Sequence, residues 1–239
     1  MSTSRSAKRG HLILWGETAV GKSTLCIAGL SVGEFQVPID WTAPGAEDRA
    51  WVQSDWRRLS LGYPLPQTGR EGRTVELPVI GGGLLRIVDI QGRSSQEAGN
   101  ALKLIPREEP FAGLFVCSWA DQRTEQYLAV IDSVLNYFQG RPVGLAVTKS
   151  DRGLDAFDPH WHAEPGWWAE HPCWRPHERI LRRFGPNVWP ISAYGFDDGG
   201  QPCCVLDEFG NVLPYRIQPR NVSAPFNWAF EELGLWPSN

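Results

Sequence analysis

The segment from His11 to Thr24, HLILWGETAVGKST, constrains the fold more than any other stretch of this chain. An apolar run leads into Gly16, four variable residues follow, and Gly21-Lys22-Ser23-Thr24 closes the pattern. The pattern G-x-x-x-x-G-K-[ST] between a strand and a helix is typical of a loop that binds phosphate groups. Its glycines let successive amides approach an anion at a helix N-terminus, where the helix dipole favours negative charge.

Each position of this loop has an expected contact. We expect Lys22 to reach the terminal phosphates and the Ser23 hydroxyl to bind Mg2+. The residues predicted to surround the phosphates are Gly16, Glu17, Thr18, Ala19, Val20, Gly21, Lys22, Ser23 and Thr24. A chance glycine-rich loop is the alternative, but the full pattern in a strand–turn–helix setting favours the phosphate site.

Beyond this segment, strands alternate with helices. Strands are predicted at residues 12–15, 74–80, 84–90, 112–119, 143–147 and 187–191, and helices at 24–30, 47–59, 101–105, 123–139, 176–184 and 224–233. This alternation predicts an α/β fold of the P-loop type. We expect a three-layer sandwich with helices on both faces of a mostly parallel sheet. One antiparallel strand should arise from the hairpin turn at Gly81–Gly83.

We expect a single domain over residues 11–239, preceded by a flexible basic tail at 1–10. Insertions are predicted at about 34–73 and 152–176, and a C-terminal extension at 196–239. The first insertion is too long for a structureless connection, so it should fold. Residues 195–222 are rich in turn formers. The tail from 218 to 236 should dock a helix and carries no functional signal.

The two insertions hold seven of the 12 tryptophans. These rings either contact a protein partner or form satellite cores under long loops. Five potential metal ligands also fall in or beside the second insertion: His160, His162, His171, Cys173 and His177. Their spacing lacks the paired pattern of zinc sites, so zinc is the less favoured alternative.

Composition excludes some classes of partner. The formal net charge of −4 argues against nucleic acid as the main partner. The sequence has no apolar run of about 18 residues, so no membrane span is expected. Five cysteines without framework spacing predict reduced thiols and a cytoplasmic location.

Polar residues follow several strands at their carboxyl ends, where ligands bind in such sheets. Asp89 ends one strand, and its carboxylate can hold Mg2+ through water opposite Ser23, while Gly92 lets an amide approach a γ-phosphate. A strand-end turn is the alternative for Asp89. Thr148-Lys149-Ser150-Asp151 ends another strand, and a carboxylate there can accept two hydrogen bonds from guanine but not from adenine. Ser192-Ala193 would offer a backbone amide to the guanine carbonyl oxygen.

The segments Gly16–Ser23, Asp89–Gly92, Thr148–Asp151 and Ser192–Ala193 together resemble the ordered motifs of Ras-like GTPases of the translation-factor-related P-loop class. The resemblance covers about residues 11–195. A finer resemblance is to prokaryotic GTPases of the double-GTPase kind. It is based on Trp56-x-x-Leu59-x-x-Gly62 before Pro66-Gln67-Thr68, and on Asn221-x-x-x-Pro225-x-x-Trp228.

This resemblance implies a switch that binds GTP or GDP with Mg2+ and hydrolyses GTP. It implies metal ligands at Ser23, Thr68 and Asp89, and catalytic contributions from Lys22, Thr68, Gly92 and Arg93. The implied base contacts are Thr148, Lys149, Asp151, Ser192, Ala193 and Tyr194. A protein effector or regulator should contact the switch segments and the tryptophan-rich insertions. Thr74 and Thr42 are the alternatives to Thr68.

Two departures from the family bear on catalysis. Arg93 occupies the place of the family's water-orienting Gln, and Thr18 stands where fast-hydrolysing relatives often have glycine. We therefore expect slow hydrolysis unless a partner, or Arg93, Arg70 or Arg73 in cis, supplies the missing group. Two alternatives remain: a GTP-bound interaction module without meaningful turnover, and an ATPase or kinase in which Asp151 does not contact the base.

Overall fold

The structure is a computed structural model that describes residues 8–17, 20–31, 37–43, 47–61, 63, 65, 73–91, 108–119, 128, 131–132, 135–150, 175, 177–195, 203–206, 212–214 and 217–236. Its strands are β1 (Arg9–Gly16), β2 (Arg73–Val79), β3 (Gly83–Gln91), β4 (Phe111–Ser118), β5 (Val143–Thr148), β6 (Val188–Pro190), β7 (Cys204–Leu206) and β8 (Val212–Pro214). Its helices are α1 (Lys22–Ser31), α2 (Glu47–Ser60), α3 (Glu178–Phe184) and α4 (Ala224–Glu232). Further helical residues lie at 128, 131–132 and 135–138.

Six strands form one sheet in the order β2-β3-β1-β4-β5-β6. The five strands from β3 to β6 in this order run parallel, and β2 is antiparallel to β3. Gly81 and Gly82 make the turn between β2 and β3 with φ angles of 93° and 90°, which glycine adopts without steric cost. The predicted mostly parallel sheet with one antiparallel strand is confirmed.

Apolar side chains cover both faces of this sheet. Leu12 and Leu14 of β1 belong to a buried cluster that includes residues of α1, α2 and α4. Ile13 and Trp15 point the other way, into a second cluster with Phe138 and residues of α3. Successive side chains of a strand alternate between faces, so β1 must be apolar throughout to be buried on both sides. The three-layer arrangement is therefore confirmed.

The first insertion folds where the structure describes it. Helix α2 matches the predicted helix at 47–59 closely, and its Val52 and Leu59 are part of the first cluster. Trp41, Trp51 and Trp56 pack against that cluster. For these three rings, the structure supports packing within the protein rather than contact with a protein partner. Trp161, Trp167, Trp168 and Trp174 of the second insertion lie outside the described residues.

The outer edge of β2 is covered by the chain that precedes and forms α2. Residues 38–40 pair with residues 78–80 through one antiparallel bridge and two backbone hydrogen bonds of 2.8 Å. The Asp48 carboxylate accepts a 2.8 Å hydrogen bond from the amide of Glu76. Backbone groups that an edge strand would otherwise expose are thus engaged within the chain.

The structure differs from the prediction at two places. The expected N-terminal tail is too long, because β1 begins at Arg9 and the Lys8 carbonyl accepts a 2.8 Å hydrogen bond from the Leu84 amide. The turn-rich stretch at 195–222 contains an antiparallel hairpin of β7 and β8. The predicted helix at 101–105 lies outside the described residues. In the part that is described, no helix combines the length and apolar character needed to cross a membrane.

We predict that Gly29→Ala destabilises the protein, although alanine is normally the better helix former by about 1 kcal/mol. A Cβ at Gly29 would overlap the Phe226 ring and lie 2.6 Å from the Val222 carbonyl oxygen. Overpacking of this kind costs about 1–3 kcal/mol, which urea unfolding can measure. Ser54→Ala is the control, since this exposed residue of α2 gains the helix propensity of alanine without meeting a packed neighbour. A Gly29→Ala protein as stable as the wild type would contradict the close packing of α1 and α4.

Candidate functional site

The phosphate-binding loop starts where β1 meets β4. A side chain at Gly16 would overlap the Val116 carbonyl oxygen, so the close approach of these strands requires glycine. Gly21 has a φ of 99° and accepts the first hydrogen bond of α1, 2.8 Å from the Leu25 amide. The predicted order of strand, loop and helix is present. Thr18 and Ala19 lie outside the described residues.

Lys22 is the first residue of α1, and its side chain folds back over the loop. Its Nζ donates to the carbonyl oxygens of Gly16 at 2.8 Å and Glu17 at 2.9 Å. The residue is only 7% exposed. Burial lowers the pKa of the Lys22 ammonium, and the negative charges of Asp89 and Glu17 oppose that change. A buried cation is therefore held at the loop by backbone oxygens.

Asp89 faces this cation from the end of β3. It is opposite Leu14 in the register of β1 and β3, on the same face of the sheet as α1. Its carboxyl forms a hydrogen bond with the Ser23 side chain. Burial raises the pKa of Asp89, while Lys22 and Ser23 oppose the rise. Among the described residues, no group hydrogen-bonds the buried Oδ1 of Asp89.

Thr148 ties the end of β5 to the phosphate-binding loop. Its hydroxyl is in hydrogen-bond contact with the Val20 carbonyl and lies 3.0 Å from the Cys117 carbonyl. The next residue, Lys149, has a φ of 55°, which turns the chain sharply out of the strand. Ser150 is buried and donates from its hydroxyl to Val147 at 2.8 Å. The predicted base-binding segment therefore begins beside the phosphate loop, although Asp151 lies outside the described residues.

Residues 192–194 follow β6 at the same edge. The Ser150 amide donates to the Ile191 carbonyl at 3.1 Å, which joins the two predicted base-binding segments. Ser192 is fully buried, and its hydroxyl accepts a 2.9 Å hydrogen bond from the Gly195 amide. Ala193 and Tyr194 are partly buried against the first cluster. The structure thus brings Ser192, Ala193 and Tyr194 next to the end of β5.

Neither alternative for the switch threonine is directed at Asp89. Thr42 donates from its amide and its hydroxyl to Asp40 Oδ1, at 2.9 and 2.6 Å. Thr74 is exposed and pairs with Val88, so its side chain leaves β2 on the face opposite Asp89. The favoured Thr68 lies outside the described residues, as do Gly92 and Arg93.

Three arginines of this chain are candidates to assist hydrolysis in cis, and of these only Arg73 is among the described residues. It is directly opposite Asp89 in the antiparallel pairing of β2 and β3, so both side chains are on one face. Its guanidinium lies 3.7 Å from the centre of the Trp51 ring. A cation over an aromatic face is attracted by the ring quadrupole. The first insertion therefore holds this arginine near the site.

The histidine-rich second insertion gives no metal site in the part that can be assessed. Of its five potential ligands only His177 is described; it is buried, with its ring centre 4.8 Å from that of Trp119. No group of three or more His, Cys, Asp or Glu residues within the described ranges could hold a metal ion. The zinc alternative consequently has no support from these residues.

Sequence reasoning missed residues 218–221, which pair with the segment after β6. Ser192 forms an antiparallel bridge with Arg220, and Gly195 forms a parallel bridge with Gln218. The motif Asn221-x-x-x-Pro225-x-x-Trp228 was visible in the sequence, but nothing local indicated what Asn221 contacts.

We predict a pH-dependent stability difference between the wild type and Asp89→Asn without metal or nucleotide. Because burial raises the pKa of Asp89, the folded state binds that proton more tightly than the unfolded chain, where aspartate titrates near about 3.9. The contribution of Asp89 to stability is complete below that value and is lost as pH rises through the folded pKa. The free energy of unfolding of Asp89→Asn should therefore rise relative to that of the wild type as pH increases from the unfolded pKa of Asp89 through its folded pKa.

Urea unfolding at a series of pH values measures this difference. Asp132→Asn is the control, since it removes an exposed carboxylate paired with Arg183 at 3.0 Å. If the difference in free energy of unfolding between Asp89→Asn and wild type stays constant with pH, the folded structure does not raise the pKa of Asp89.

Comparisons with known proteins add no assignment to this geometry. Neither the models of known protein families nor the curated proteins that were searched gave a match to this chain.

Proposed function

We propose that this protein binds guanine nucleotides with Mg2+ and hydrolyses GTP slowly, as a molecular switch. The observation that carries the proposal is the grouping of Lys22, Ser23 and Asp89 at the head of α1, directly after a glycine-bounded loop. The pKa values of the buried Lys22 ammonium and the partly buried Asp89 carboxylate are both shifted by burial, and titratable groups with shifted pKa values cluster at functional sites.

The oxygen donors present fit Mg2+. Mg2+ is usually bound through one or two carboxylates together with phosphate oxygens and waters. The Ser23 hydroxyl and the Asp89 carboxylate would hold it, and the Asp89 Oδ1 without a partner among the described residues is available for that contact. When bound, Mg2+ would neutralise charge on the β- and γ-phosphate oxygens.

Lys22 and the loop amides would bind the phosphates. The Lys22 ammonium would exchange its contacts with Gly16 and Glu17 for phosphate oxygens, which are stronger acceptors because they are charged. The amides at the start of α1 would add hydrogen bonds along the helix dipole. These groups would stabilise the charge that develops as water attacks the γ-phosphate.

Guanine selectivity would come from the two segments at the ends of β5 and β6. Lys149 would cover one face of the base, Asp151 would accept from its ring N–H and amine, and Ala193 would donate to its carbonyl oxygen. The hydrogen bond between Ser150 and Ile191 supports this proposal, because it holds both segments in one register.

The alternative is a GTP-bound interaction module without meaningful turnover, which the replacement of the expected Gln by Arg93 favours. In either case a protein regulator would contact the switch segments, and a cytoplasmic location with reduced thiols fits the proposal. Among the described residues, the buried Cys26, Cys117 and Cys203 form no disulfide bond.

We predict that the wild type binds GTP and GDP in the presence of Mg2+ and that ATP competes poorly. Lys22→Ala should lose about 2–5 kcal/mol of binding free energy, because a buried charged contact is removed. Isothermal titration calorimetry measures both effects. Lys8→Ala is the control, since this exposed lysine donates to Gly234 at 2.7 Å, away from the site. Equal affinity of Lys22→Ala and wild type would refute the phosphate site, and strong competition by ATP would refute guanine selectivity.

We predict a single-turnover rate of GTP hydrolysis below about 10⁻² s⁻¹, which is the rate of GTPases that carry an arginine in cis. Arg93→Gln should raise this rate by supplying a water-orienting amide, and Arg93→Ala should not. Fast turnover of the purified wild type would refute the expectation. A lower rate in Arg93→Ala would instead assign Arg93 a catalytic role in cis.

A further inference from the structure

A long stretch of sequence separates the predicted base-binding segment, which ends at Gly195, from α4, which begins at Ala224. The Gly195 carbonyl, at the end of that segment, accepts a 2.9 Å hydrogen bond from the Cys203 amide, and residues 217–223 precede α4. The hairpin of β7 and β8 lies in between. A helix that follows only after a long stretch of sequence does little to position the segment before that stretch, because the entropic cost of closing a connection grows with its length. Other contacts must hold the base-binding segment in place.

Residues 218–221, which we name the strap, supply these contacts. The Ser192 amide donates to the Arg220 carbonyl at 3.2 Å, and the Arg220 amide donates back to Ser192 at 2.8 Å. Beyond Ala193, the Gln218 amide donates to the Tyr194 carbonyl at 2.8 Å. Both neighbours of Ala193 are thus pinned by backbone hydrogen bonds, and none of these bonds uses the Ala193 amide.

Two residues at the ends of this pairing depend on unusual backbone conformations. Gly195 has a φ of 77°, and a side chain there would overlap the Gln218 carbonyl. Asn221 has a φ of 58°, and its Nδ2 donates to the Pro190 carbonyl at 3.1 Å. Asparagine tolerates this left-handed conformation better than most residues. Asn221 therefore fixes the strap to the end of β6.

The strap continues into the structure behind the phosphate loop. Val222 is buried, and its carbonyl together with the Phe226 ring fills the space beside Gly29 of α1. Trp228 packs on Trp189 of β6, with ring centres 5.2 Å apart. The strap is thus anchored to α1, which begins at the phosphate loop, as well as to the base-binding segment.

We propose that the strap is a positioning element for guanine recognition, and that Asn221 is its positioning residue. It holds the Ala193 amide in place to donate to the guanine carbonyl oxygen before the nucleotide arrives. This inference rests on the proposed function and extends it, since it assigns base affinity to residues distant in sequence from the nucleotide motifs.

The test compares Asn221→Gly and Asn221→Ala with wild type by calorimetry in the presence of Mg2+. Asn221→Gly keeps the positive φ and loses the Pro190 contact, so GDP affinity should fall by about two- to tenfold. Asn221→Ala loses the Pro190 contact and also disfavours the positive φ, so its GDP affinity should fall further. Affinity for inorganic tripolyphosphate, which has no base, should be unchanged. The preference for GDP over 2-aminopurine riboside diphosphate, which lacks the carbonyl oxygen, should shrink in both variants.

Asn187→Ala is the matched control, because Asn187 Nδ2 donates to the Val143 carbonyl at 3.3 Å, at the other end of β5 and β6. It should leave the GDP preference intact. Unchanged GDP affinity in folded Asn221→Gly would overturn the strap proposal while the proposed function stands. An equal loss for GDP and tripolyphosphate would overturn it too, because it would indicate a general structural role. A wild type that binds no guanine nucleotide would overturn both.

Discussion

Two opposite charges withheld from water at the head of α1 are the constraint on which the rest of the site depends. Lys22 and Asp89 are both disfavoured in their ionised forms by burial, and each favours ionisation of the other. The loop carbonyls and the Ser23 hydroxyl give them their remaining contacts. This arrangement is possible because β1 and β3 run parallel and end at the same edge of the sheet.

Glycine permits that arrangement at two positions. At Gly16 it lets the backbone leave β1 against the Val116 carbonyl, and at Gly29 it lets α4 pack closely on α1. The first glycine shapes the loop, and the second fixes the helix that carries Lys22. A substitution at Gly16 would disturb the phosphate-binding loop where it leaves β1, and a substitution at Gly29 would disturb it through α1, which follows the loop.

Most of the sheet and the phosphate loop could be predicted from the sequence, because their signals are local. The apolar runs of β1, β4 and β5 give strands buried on both faces, and the glycine and lysine pattern gives the loop. Helix α2 was predicted as a helical segment within the first insertion. The placement of Asp89 beside Ser23 followed from strand ends meeting at one edge.

The strap and the position of Arg73 could not be predicted. Arg220 pairs with Ser192 although the two residues are far apart in sequence, and the pairing uses backbone groups that are common to nearly all residues. Arg73 reaches the site by strand register, which a one-residue shift would reverse. Its stacking on Trp51 also depends on how the first insertion folds. Such long-range contacts leave no periodic trace in a single sequence.

The covered edge of β2 limits how another protein can engage this sheet. Residues 38–40 and Asp48 already occupy backbone groups along that edge, and Pro78 has no amide hydrogen to offer. Recognition by strand addition would first require this cover to be displaced. A protein that approaches from this side without unfolding the cover must recognise side chains, so its specificity would reside in the side chains of the first insertion rather than in the backbone of the sheet.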